Sequence, residues 1–308
     1  MQVLLCWHGI GRAVSAEAHD ILGSGRIVTV TSPSENDIAE IMALKDKCEK
    51  RLSIGIVLTG DFLRTLDKAG VGAMAFMNEG HYIGFSFFYS FEKEEAEVSI
   101  FADPDVDWQR VHSLLMEAAI AECRRRGHFR LLLLNDRRFL PAVELIKMAG
   151  GKLAFSEHRM TSNAAPGATA QQIYLRAVGN DDAMLREIEL ECHDRFYSKP
   201  DQKRFLAMVD GNAIGKIDVY EEGSDAELTG FCVLPWSRGK GFGKAILQSM
   251  VGILKAEGKE RITLDVQTDN DVALSLYLKS GFVKEFTIDY YSISLKELIT
   301  VEREGREQ

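Results

Sequence analysis

Positive charge is in short supply: 37 Lys and Arg stand against 46 Asp and Glu, a formal net charge of −9. Binding along a phosphate backbone needs a basic face, so nucleic acid is disfavoured as the main partner. No apolar run is long enough to cross a bilayer. The five cysteines (Cys6, Cys48, Cys123, Cys192, Cys232) are an odd number without a C-x-x-C pair, which argues against a disulfide framework and against a zinc site. Reduced, mostly buried thiols and no bound metal are the expectation. The apolar start Met1 to Trp7 has no Lys or Arg ahead of it and is broken by His8 and Arg12, unlike a signal peptide, which favours a cytoplasmic location.

What remains is a globular composition, 46% hydrophobic and 27% charged, on 308 residues. That length fits two domains of about 150 residues each. Along the chain, strand Arg26 to Thr31, a helix from Ser34–Asp37 to about Lys50, and a helix Asp61 to Lys68 come first. Strands Ala73 to Asn78, Tyr82 to Phe91 and Ala96 to Phe101 follow. Helix Trp108 to Arg126, strand Arg130 to Leu134, helix Pro141 to Met148 and strand Lys152 to Glu157 complete the first half. Thr161 to Gln171, rich in small residues, reads as a linker. Much the same order then returns. Gly80, Ile83, Gly84, Tyr89, Pro104, Gly127 and Gly150 recur 131 positions on as Gly211, Ile214, Gly215, Tyr220, Pro235, Gly258 and Gly281, and Ala96-Glu97 and Phe101 recur 130 on as Ala226-Glu227 and Phe231. The chain is a duplication. The expected domains are residues 1–160 and 172–308, each an α/β fold of the α+β, mixed-sheet kind.

The second copy carries a distinctive stretch. The apolar run Phe231 to Leu234 passes through Pro235 into Arg238-Gly239-Lys240-Gly241-Phe242-Gly243-Lys244, after which Ala245, Ile246, Met250, Ile253 and Leu254 recur at helical spacing. Glycines let successive N–H groups converge, and the positive end of a helix lies beside them, so an anion such as a pyrophosphate can be held there. Arg238, Gly241 and Gly243 form the pattern Arg-x-x-Gly-x-Gly, and downstream stand Asn270, Ala273, Tyr277, Gly281 and Phe282. In these two motifs, residues from about 172 to 295 resemble the GNAT acyltransferase superfamily, whose members transfer acyl groups from acyl-CoA to amines.

The resemblance implies acetyl-CoA as donor. It implies that Val233 pairs by its backbone with the pantetheine arm in a splayed sheet, that N–H groups from Gly239 to Lys244 (Gly239, Lys240, Gly241, Phe242, Gly243, Lys244) hold the pyrophosphate, and that Arg238 assists. It gives Asn270 a contact to the CoA arm, although Asn270 reads equally well as a helix cap. Tyr277 would protonate the leaving thiolate. Glu227 is the best candidate for the general base, yet Glu97 holds the same place in the first copy, so a structural strand role stands against it. Tyr290 and Tyr291 line the acceptor pocket or cover the sheet.

In the first copy Arg238, Gly241 and Gly243 face Asp107, Arg110 and His112, the preceding loop is Asp103-Pro104-Asp105-Val106-Asp107, and Asn270 and Tyr277 become Phe139 and Ile146. Three carboxylates would repel a pyrophosphate. A degenerate first copy and one working site per chain are therefore expected, with a small-molecule or peptide amine as acceptor. The second copy lacks a counterpart of Asp61 to Lys68, which suggests that the first copy completes the acceptor wall. A CoA-binding sensor or partner-binding module without turnover is the alternative.

Overall fold

The computed structural model describes residues 25–66, 71–92, 94–163, 173–179, 182–192 and 202–295. The short helix expected at Ala16 to Leu22 and most of the linker lie outside the described residues. The chain divides into two compact units. The first runs to Leu134 and takes in Phe139–Gly151 and the chain from Ile293; the second is Asn135–Arg138 with Lys152–Ser292.

In the first unit the order is β1 (Arg26–Val30), α1 (Glu35–Leu52), α2 (Gly60–Leu63), β2 (Val71–Asn78), β3 (His81–Glu92), β4 (Glu95–Ala102), α3 (Trp108–Arg125), β5 (Arg130–Asp136) and α4 (Leu140–Met148). Strands β1 to β4 form an antiparallel meander, and β5 joins β4 in parallel from Glu95↔Arg130 to Ser99↔Leu134. Helix α1 starts at a capping box: Ser34 Oγ accepts from Asp37 N, and the Asp37 carboxylate accepts from Ser34 N. Its apolar stripe Ile38, Ile41, Leu44 and Cys48 is buried with Phe85 and Phe101 from the sheet.

The second unit is built from β6 (Lys152–Ser162), β7 (Tyr174–Val178), α5 (Ala183–Glu191), β8 (Lys203–Val209), β9 (Asn212–Glu222), β10 (Asp225–Val233), a 3-10 turn (Pro235–Ser237), α6 (Phe242–Ala256), β11 (Arg261–Gln267), α7 (Asp271–Lys279) and β12 (Phe282–Ser294). Strands β7, β8, β9 and β10 run antiparallel, β11 lies parallel to β10, β6 pairs antiparallel with β11, and β12 with β6. One face carries the core, where Ile246, Leu247, Met250, Val251 and Leu254 of α6 pack on Ile217, Val219, Ala226, Leu228, Ile262 and Leu264. Leu274 and Leu276 of α7 pack against that core, whereas Leu278 is 47% exposed because it falls on the outer face of the helix.

Two findings depart from the sequence expectations. Strand β6 belongs to the first copy by sequence, and the boundary at residue 160 falls inside it. In the structure both its edges are used within the second unit, by β11 (Thr161↔Thr263 to Glu157↔Gln267) and by β12 (Ser162↔Phe282 to Lys152↔Ser292), and Met160 is fully buried in that unit's core. The second correction concerns the thiols. Cys192, just after α5, and Cys232 on β10 form a disulfide across 40 residues of sequence. They meet because α5 packs Leu185 and Ile188 against Leu206 and Leu234 on this face of the sheet. Cys48 and Cys123 are free and buried, and burial pushes both thiols up to about 12.

Candidate active site

The parallel pairing of β10 and β11 is confined to Asp225, Ala226 and Glu227 against Arg261, Ile262 and Thr263. Beyond Glu227, β10 bulges: its register with β9 shifts between Thr229 and Cys232. The shift requires Gly230, whose φ is +52° and where a Cβ would stand 2.3 Å from Asp218 Oδ2. Asp218 and Lys216, ion-paired at 2.8 Å, fill the space beneath this bulge, and burial pushes the Asp218 carboxyl up. The bulge bends the end of β10. Two parallel strands that stop pairing midway leave a wedge between them, with backbone donors and acceptors along its sides.

At the mouth of the wedge lies the glycine loop. Gly239 (φ +73°) and Gly241 (φ +84°) are left-handed, and Gly241 caps α6 without a side-chain hydrogen bond. The first N–H groups of a helix have no intrahelical acceptor, so those of Phe242, Gly243 and Lys244 point outward at its positive end. At Gly243 a Cβ would stand 3.0 Å from Leu276 Cδ2, so this glycine also sets the approach of α6 to α7. Arg238, Gly239, Lys240, Gly241 and Lys244 are exposed. Arg238 does more than hang in solvent: its Nε donates to the Val233 carbonyl at 2.8 Å, tying the loop to the end of β10 and occupying the carbonyl expected to meet a pantetheine arm.

The first copy has rebuilt the same place. Its helix α3 has 18 residues against 15 in α6, and the additional turn replaces the loop. Asp107 caps it by accepting from Arg110 N. Asp103 and Asp105 bind Lys47 at 2.7 and 3.0 Å, and Asp105 also binds Arg51 at 2.8 Å. His112, at the position of Gly243, is buried and pushed down to about 4 by desolvation, so it sits there as a neutral ring. The anion cradle is filled with anions and a side chain.

Asn270 caps α7, its Oδ1 accepting from Ala273 N at 3.1 Å. The capping role is therefore present, on an exposed side chain. Tyr277 is buried on α7, its ring centroid 6.2 Å from those of Phe231, at the bulge, and Phe282.

A polar row crosses the sheet face opposite α6, from β10 to β12. Arg159 of β6 is 6% exposed and clamps two carboxylates, with Nη1 2.6 Å from Asp265 Oδ2 and Nη2 3.2 Å from Glu227 Oε2, while Nη2 also donates to Thr263 Oγ1 at 3.1 Å. Two residues along β6, Glu157 accepts from Tyr290 Oη at 2.9 Å. Tyr290 stacks on Phe155 with centroids 4.3 Å apart. Burial, then the neighbouring Asp265, push Glu157 up to about 7, against the opposing pull of Tyr290 and Arg159. Tyr291 is buried in the sheet and its hydroxyl is pushed up by burial. The structure thus joins Glu227 to residues the sequence reading passed over, Glu157, Arg159 and Asp265. The signal for Glu157 and Arg159 was the alternation Glu157-x-Arg159-x-Thr161, which puts these three side chains on one face of the strand opposite Met160.

A mixed sheet split between parallel strands, with a glycine loop and an uncapped helix at the split, defines an acyl-CoA N-acyltransferase fold. Residues 170–282 match the sequence model described as the Acetyltransferase (GNAT) family. Over 72 residues the chain is 31% identical to a protein of Bacillus subtilis (strain 168) provisionally named ribosomal protein bS18-alanine N-acetyltransferase; the match covers 23% of this chain and about half (48%) of that relative. Among solved structures it resembles a GCN5-related N-acetyltransferase from Sphaerobacter thermophilus, with a TM-score of 0.73, 16% identity, and coverage of 87% of this chain and 96% of that one. It also resembles a tandem GNAT protein from the clavulanic acid biosynthesis pathway, with a TM-score of 0.70, 12% identity, and coverage of 88% and 98%. The architecture is a tandem GNAT fold, and the sequence match to the GNAT family lies in residues 170–282.

Proposed function

We propose that the chain is an N-acetyltransferase that moves the acetyl group of acetyl-CoA to an amine by direct attack, at one site, in its second half. The observation that carries this reading is the contrast between two helix starts at equivalent places: Gly241 leaves α6 uncapped at the wedge, whereas Asp107, Asp103 and Asp105 fill the start of α3. The residues present fit the donor. The N–H groups of Gly239 to Lys244, with Lys240 and Lys244 beside them, suit a pyrophosphate. The edges of the wedge suit an arm that pairs like a strand, and for it to reach the Val233 carbonyl Arg238 must swing out toward the phosphates. Asn270, whose Oδ1 caps α7, keeps its amide group as a donor for the arm.

When bound, acetyl-CoA supplies an activated thioester. The protein holds it, keeps water away, and handles protons. An ammonium has no lone pair, so a carboxylate on the polar row removes a proton from the acceptor. Tyr277, buried against the bulge, gives its proton to the departing sulfur. The acceptor is a small-molecule or peptide amine; the name of the Bacillus relative makes a terminal alanine one peptide to try. A cytoplasmic setting supplies the donor.

The test is release of free CoA thiol by the full chain with acetyl-CoA and a panel comprising a peptide with N-terminal alanine, a lysine peptide, a polyamine and an amino sugar. Amine-dependent release supports the enzyme. Binding of acetyl-CoA with no release by any amine would leave the non-catalytic sensor.

A further inference from the structure

We propose that Glu157, carried into the second unit on strand β6 of the first copy, is the general base for the acceptor amine, with Tyr290 positioning its carboxylate. This rests on the acetyltransferase reading above. Register fixes the place. The last β10–β11 pair is Glu227↔Thr263. Four residues farther on each strand stand Phe231, at the bulge, and Gln267, the partner of Glu157. Glu157 therefore lies level with the bulge, beside the wedge, on the face away from α6, and its side chain is only partly buried. Paired residues of adjacent strands share a face, so Thr263, Asp265, Arg159 and Glu157 stand together there.

Three carboxylates share this row, and their partners separate them. Glu227 and Asp265 are committed to the Arg159 guanidinium. Glu157 takes a neutral donor, the Tyr290 hydroxyl, and so keeps room for a proton. The charged and titratable groups facing it are Asp265 from β11, Glu227 from β10, Arg159 from its own strand and Tyr290 from β12. Its proton affinity, lifted to about 7 mainly by burial, matches that of a base working near neutrality. The anionic row also draws an ammonium toward the wedge.

The step balances as follows. Glu157 takes one proton from the ammonium, an N–H bond breaking as an O–H forms, and later passes it to solvent. The freed nitrogen forms the C–N bond to the acetyl carbon while the C–S bond breaks with its electron pair on sulfur. Tyr277 gives sulfur a proton, and the second N–H proton lost as the amide forms restores Tyr277.

The experiment uses the full chain, acetyl-CoA and the amine panel above, comparing wild type, Glu157→Gln and Tyr290→Phe from pH 5.5 to 9. Wild-type kcat/KM should rise through an acid limb near pH 7. Glu157→Gln should lose that limb and fall about 100-fold or more at pH 7.5, while its acetyl-CoA Kd stays within about two-fold because Glu157 lies away from the glycine loop. Tyr290→Phe removes a hydrogen bond that favours the charged carboxylate, so the limb should move to higher pH with little change on the plateau. Independently of turnover, 13C-Glu spectra should show a carboxyl titrating near pH 7 that is missing from Glu157→Gln. Wild-type transfer with the limb unchanged in either variant overturns the assignment of Glu157 alone. A wild type that releases no CoA with any probe overturns the acetyltransferase reading and this proposal together.

Discussion

Arg159→Met removes the cation that holds Glu227 and Asp265 together on the sheet. The guanidinium is nearly inaccessible, and it makes contacts of 2.6 and 3.2 Å to Asp265 and Glu227. Methionine matches its aliphatic stem but leaves both carboxylates without the cation, and Glu157 close by adds a third acid. Breaking one buried pair typically costs about 3–5 kcal/mol. Some of that cost is recovered here, because Asp265 is 35% exposed at its side chain and rehydrates, so about 3 kcal/mol is the working figure. For a unit of this size that is a fall in Tm of roughly 6–12 °C. A pH signature separates electrostatics from packing. Carboxylates deprived of Arg159 bind protons more readily in the folded state than in the unfolded one, so the variant gains stability relative to wild type as pH falls, and its deficit is smaller at pH 5 than at pH 8. Thermal melts of the full chain at both pH values measure this. A deficit under about 1 kcal/mol, or one independent of pH, would refute the clamp.

Two further outcomes are expected. In the chain-entropy view, the Cys192–Cys232 link over 40 residues contributes about 4 kcal/mol; wild type should therefore melt lower in reductant while Cys192→Ser/Cys232→Ser melts alike with and without it, and an unchanged wild-type melt in reductant would remove the disulfide. Tyr277→Phe should lower turnover about 10- to 100-fold with acetyl-CoA affinity nearly constant; equal turnover would end its role as acid.

The loop and its helix were readable because their signals are local. Glycines, a proline and a 3.6 period set Phe242–Ala256 before any contact is known. The loss in the first copy was readable for the same reason, since Asp107 stands where the register puts Arg238. Strand β6 was hidden by the nature of pairing: alternation tells which face a residue takes, not which strands lie on either edge. A linear reading therefore gave Lys152 to Glu157 to the copy that encodes it and Thr161 onward to a linker, and Glu157 and Arg159 stayed with the first domain. Glu227 was found because it lies on the strand that leads into the loop, but its partner Arg159 lies 68 residues away on β6, which spacing cannot show. Cys192 and Cys232 carry no spacing signature; they meet only once α5 lies on β8 to β10.

The claim of one donor site per chain is tested most directly by calorimetric titration of the full chain with acetyl-CoA. The account predicts a stoichiometry of one, and loss of most of the affinity when Arg238→Glu puts a carboxylate at the loop. Two equivalents bound, or one equivalent bound with the same affinity by Arg238→Glu, would contradict it.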